Sequence, residues 1–148
     1  MSLEEKITSE IKAAMLSKNT KRLEALRGIK AEILLLNSSE KGTSEELEAK
    51  AMQKMVKQRK ESAEIYTSQN RPELAEIELF QASVIESFLP TQMSADELQV
   101  AVKDIIASTG ASSMADMGKV MGAATKQLAG KAEGKAISEM VKKLLSGN

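Results

Sequence analysis

FLPTQMSADEL, residues Phe88 to Leu98, ends one helix and begins another. Pro90 disfavours helical geometry at Leu89, so the preceding helix must stop there. Ser94 with Glu97 three positions on is a capping box, whose hydroxyl and carboxylate satisfy the free N–H groups of a new helix start. The stretch therefore separates two helical parts, and we place them at residues 1–90 and 93–148. Downstream, Leu98, Val102, Ile105 and Ile106 recur at helical spacing up to Gly110, a natural left-handed stop. Ser113 with Asp116 opens the next helix, which ends around residues 128–130. GKAEGK (130–135) is a polar connection, and Ile137, Met140, Val141, Leu144 and Leu145 form the apolar stripe of the last helix.

Upstream, the same punctuation repeats. Ser2 with Glu5 caps a helix through Leu3, Ile7 and Ile11. A second starts at Asn19 or Thr20, carries Leu26, Ile29, Ile33 and Leu36, and stops at NSSEKG. Thr43 with Glu46 opens a long third helix to about Ser68, and Pro72 fits the first position of a fourth that ends near Phe88. No segment alternates with period two for long enough to make a strand. The expected fold is all-α and multihelical, a four-helix N-terminal part followed by a small three-helix C-terminal part.

The 148 residues, 42% hydrophobic and 28% charged, have the composition of a globular domain with a real core. No apolar run approaches the roughly 18 residues of a membrane span, and MSLEEKITSE is too acidic and polar for a secretion signal, so a cytoplasmic protein without membrane contact is expected. The chain has no cysteine and no histidine. That excludes thiol nucleophiles and cysteine metal sites, and removes the usual general base near neutral pH. We expect no metal, no cofactor and no catalytic residues.

Charge is balanced over the chain but gathered at one end. From Met117 onward, Lys119, Lys126, Lys131, Lys135, Lys142 and Lys143 face only Glu133 and Glu139, a net charge of +4. Tyr66, Phe80 and Phe88 all precede residue 90, so a nucleic acid at the basic end would be held through phosphate and shape rather than base stacking. DMGKVMG (116–122) puts Gly118 and Gly122 one turn apart in a helix, where each costs roughly 0.8–1 kcal/mol against alanine. Close packing against another helix of the C-terminal bundle accounts for the pair. The alternative is a ligand backbone in the same groove, with Lys119 and Lys126 at its edges.

Two further clusters have plain structural explanations. Lys50, Lys54 and Lys57 share a face of the third helix, but Glu46, Glu61 and Glu64 interleave or flank them, as on a self-paired solvated surface. Glu73, Glu76 and Glu78 occupy the first turns of the fourth helix, where carboxylates meet its positive end.

Taken in order, LEALRGIKAEI (23–33), KQRKESAEIY (57–66), RPELAEIE (71–78), FLPTQMSADEL (88–98), DMGKVMG (116–122) and KAEGKAISEMVKKLL (131–145) resemble the YqeY family along essentially the whole chain. The chain departs from that pattern at Gln81, where an acidic residue is usual, and at Glu133-Gly134, where Asp-Gly is common. The family is similar to the C-terminal tail of the B subunit of glutamine-dependent aminoacyl-tRNA amidotransferase, a multihelical module linked to holding tRNA. The resemblance implies an all-helical fold and a non-catalytic module that binds tRNA or another structured RNA through the six lysines. Amidotransferase chemistry belongs to other regions of that enzyme, and no glycine-rich phosphate loop is present here. An auxiliary of a glutamine-dependent carbon–nitrogen ligase, and an adaptor that binds a protein partner through exposed N-terminal helices, are the alternatives.

Overall fold

The computed structural model describes residues 2–39 and 42–147, and among these it is helical throughout, with no strand. The helices are α1 (Leu3–Leu16), α2 (Thr20–Asn37), α3 (Glu45–Ser68), α4 (Pro72–Glu86), α5 (Ala95–Thr109), α6 (Met117–Gln127) and α7 (Gly134–Leu145), with one 3-10 turn at Met114–Asp116. The chain divides into two compact units, Met1–Leu89 and Pro90–Asn148.

In the first unit the ends follow local chemistry. Ser2 Oγ accepts from Glu5 N at 3.1 Å while Glu5 Oε2 accepts from Ser2 N at 3.0 Å, the reciprocal pair of a capping box. Asn19 Oδ1 caps α2 by accepting from Arg22 N at 3.2 Å. The cap of α3 is Ser44, which accepts from Leu47 N, and not Thr43: adjacent hydroxyls both suit a helix start, and the backbone selects the second. Within the NSSEKG break, Glu40 and Lys41 lie outside the described residues. Pro72 occupies the first turn of α4, as its missing N–H allows.

The core of this unit joins Ile7 and Ala14 of α1, Leu26, Ile29 and Ile33 of α2, Met52 of α3, and Val84 and Ile85 of α4. It thus engages the first half of α3 and the last turns of α4. The rest of this antiparallel pair closes through small buried residues, Ala63, Ala75 and Ala82. Two ion pairs tie the helices together, Arg59 to Glu78 at 3.2 Å and Lys60 to Glu86 at 2.9 Å. Glu78 is therefore a cross-helix partner of Arg59, a role that its place near the start of α4 does not reveal.

The second unit is built on three apolar stripes. Leu98, Val102 and Ile105 of α5 meet Val120 and Ala124 of α6, with Leu128 just beyond it, and Ile137, Val141 and Leu145 of α7. Ser94 and Glu97 cap α5 reciprocally, and Gly110 ends it at φ +72°. Gln92 and Met93 are fixed to the turn between α6 and α7: Gln92 Nε2 donates to Gly130 O at 2.6 Å, and Met93 N donates to Lys131 O at 2.9 Å. That turn is thereby held in place by the residues entering α5.

Candidate nucleic-acid interface

The start of α6 is set by Asp116. Its Oδ2 accepts from Ser112 N at 3.0 Å and from Ser113 N at 3.4 Å, closing the 3-10 turn that leads into the helix. Those hydrogen bonds, with a smaller contribution from the nearby Lys119 charge, hold the Asp116 carboxyl below its ordinary range. Beyond it, Val120 and Ala124 turn inward at a spacing of four. Gly118, Lys119, Gly122 and Lys126 consequently face outward, and all four are exposed.

This corrects the expected packing at the glycine pair. A Cβ built on Gly118 or on Gly122 meets nothing within 4 Å, so no helix crosses the bare backbone there. The reason is register: Gly118 stands two positions before the buried Val120, and Gly122 two positions from both Val120 and Ala124, and a two-residue step of about 200° leads to the opposite side of the helix. The glycines sit on the solvent face beside two lysines.

On α7 the same logic applies. Ile137, Val141 and Leu145 are buried at spacings of four, so Lys135, Lys142 and Lys143 project from the opposite side with Glu139 among them. Lys131 extends from the turn whose backbone is pinned by Met93. All six lysines are exposed. The ion pairs among the described residues, Arg22–Glu10, Lys50–Glu46, Arg59–Glu78, Lys60–Glu86 and Arg71–Glu73, lie within residues 1–89. Among the described residues, none of the six has a carboxylate oxygen within 4.0 Å.

Helix dipoles explain some of these lysines. Lys126 lies in the last turn of α6, and Lys142 and Lys143 in the last turn of α7, where a cation is favourable. Lys119 and Lys135 are placed the other way. They stand in the first turns of α6 and α7, at helix ends that favour carboxylates; Lys119 there lies near the Asp116 carboxylate, and Lys135 makes no ion pair among the described residues. The neighbouring α5 has the opposite balance, with Asp96, Glu97 and Asp104 against Lys103.

A shallow groove of about 480 Å³ runs beside α7, with Met93, Leu98, Ala136 and Met140 on its walls and Glu139 and Lys143 at its rim. Of the six lysines only Lys143 borders it, so the groove and the basic surface are separate features. No group of three acidic side chains among the described residues is arranged to hold a metal ion. No helix among them is long and apolar enough to cross a membrane.

The third-helix lysines are only partly self-paired. Lys50 reaches Glu46 at 3.4 Å, whereas Lys54 and Lys57 have no carboxylate of a described residue within 4.0 Å.

A chain that is helical among its described residues, in two compact units and with its last helices net basic, defines the class. The family model described as Yqey-like protein, YqeY, matches residues 4–145. The chain belongs to the YqeY family. No curated protein matches its sequence.

Proposed function

We propose that this protein is a non-catalytic RNA-binding module, with tRNA as its first candidate ligand, working in the cytoplasm. In this reading residues 93–148 form a three-helix contact domain, and residues 1–90 a four-helix part that carries it. The supporting observation is the set of six exposed lysines that make no ion pair among the described residues, above all Lys119 and Lys135, which oppose the dipoles of their own helices. Structured RNA is read largely through backbone and shape, which cations on a rigid helical surface suit without any aromatic ring. The tRNA assignment rests on the similarity of the family to the tail of the amidotransferase B subunit.

Electrophoretic titration of the full chain against total tRNA tests this reading. Lys119→Ala combined with Lys135→Ala should weaken binding, whereas Lys54→Ala combined with Lys57→Ala on α3 should not. Equal affinity for the two double variants would overturn it.

A further inference from the structure

α7 carries more apolar surface than the core of its own unit takes up. Ile137, Val141 and Leu145 are buried, whereas Ala136 and Met140 are partly buried against that core and also line the shallow groove beside α7. Glu133 and Lys143 belong to the same lining, one at each end of the helix. Glu133, Ala136, Met140 and Lys143 thus follow one another at spacings of three, four and three, the spacing of a seam along which one helix meets another. From first to last the four span about 15 Å.

The two end charges are not paired within the chain. Glu133 precedes α7 as its cap residue, yet its side chain makes no capping hydrogen bond. Among the described residues no ion pair includes Glu133 or Lys143.

The order of the four residues selects the occupant. Position 138 lies midway between 133 and 143, and also midway between 136 and 140. If two copies of α7 lie antiparallel about a two-fold axis at that height, Glu133 meets the partner's Lys143 and Ala136 meets the partner's Met140, and symmetry makes each contact twice. Opposite charges then close both ends, and small against large lets the helices approach to about 8–10 Å. The seam is complementary to itself read in reverse. A parallel pair would instead set each charge against its own copy, and RNA phosphates would meet Glu133 and Glu139 in the same lining.

We propose that the groove beside α7 receives a second copy of this chain, in a two-fold dimer held by an antiparallel pair of α7 helices. The partner's Met140 packs against Ala136 and the apolar wall that Met93 and Leu98 provide. Glu139 flanks the seam close to the axis, where it nears its own copy, so its charge weakens the pair. Lys119 and Lys135 do not line the groove, and the dimer stands whether or not RNA binds them.

The test is sedimentation equilibrium of the full chain over a wide range of concentration, which should show monomers and dimers in an equilibrium that shifts to monomer as salt is raised. Glu133→Lys and Lys143→Glu each place like charges at both ends of the pair, and each should lower dimer affinity about tenfold or more. Both changes in one chain should restore it. Mixing the two single variants should do the same, because every end of the mixed dimer again joins opposite charges. Lys142→Glu, one residue away and off the seam, should change it little, and Glu139→Gln should strengthen it. Thermal melts confirm that each variant is folded. A chain that is monomeric at every concentration, a dimer that the single reversals leave intact, or a loss that neither the double variant nor the mixture repairs would overturn the proposal. So would an effect of Lys142→Glu equal to that of Lys143→Glu, or a weaker dimer in Glu139→Gln.

Discussion

Gly118 and Gly122 together cost α6 about 2 kcal/mol against alanine, and no packing contact offsets it, since a methyl group at either position would point into open space. Gly118→Ala and Gly122→Ala should therefore each stabilise the protein, by about 0.8–1 kcal/mol, read as a raised thermal midpoint. A lowered midpoint would restore the close crossing that the register excludes. The sequence contained the signal for this: Val120 and Ala124, with Leu128 beyond them, already make an apolar stripe, and the glycines fall opposite it. Glycine spacing alone shows that two residues share a face, without showing which way that face turns.

At the scale of elements, the helix ends were the most legible part, because a cap is a contact between residues three apart and needs no tertiary information. Ser2, Asn19, Ser94 and Gly110 all act as their types and spacings suggest. Glu97 is held below its ordinary range by the Ser94 backbone N–H and then its hydroxyl, as Asp116 is by Ser112 and Ser113. A carboxylate with a depressed folded-state value stabilises above its unfolded-state value, and that contribution disappears as pH falls through the folded-state value. Acidification through and below the ordinary carboxylate range should thus loosen α5 and α6, and Glu97→Gln with Asp116→Asn should flatten this part of the pH dependence in denaturant melts. A wild-type pH profile in the double variant would contradict the cap assignment. Glu48 has the opposite sign: burial, then Glu45 and Glu4, raise it, so its charge works against folding at neutral pH. What the sequence concealed was α4. Hydropathy favours burying Ile77, Leu79 and Phe80, but the close approach of α3 gives the interface to alanines, a tertiary choice that no local pattern records. The Arg59–Glu78 pair was hidden for the same reason, being a contact across nineteen positions.

Over the whole molecule, zero net charge conceals an uneven pairing of charges. Residues 1–89 hold the ion pairs found among the described residues, and none of those pairs includes a lysine from 119 onward. The helical class and the basic end could be read from composition and periodicity. That those lysines make no ion pair among the described residues could not, since Glu139 stands at pairing distance in sequence from Lys135 and Lys143 and makes no ion pair with either. The most direct measurement is the salt dependence of tRNA affinity for the full chain and for Lys119→Ala, Lys135→Ala and their combination. Phosphate contacts by these lysines predict a linear fall of log affinity with log salt concentration, flattened by roughly 0.7–0.9 for each contact removed. A slope that the variants leave unchanged, or no binding of tRNA at low salt, would contradict RNA recognition by the lysines of α6 and α7.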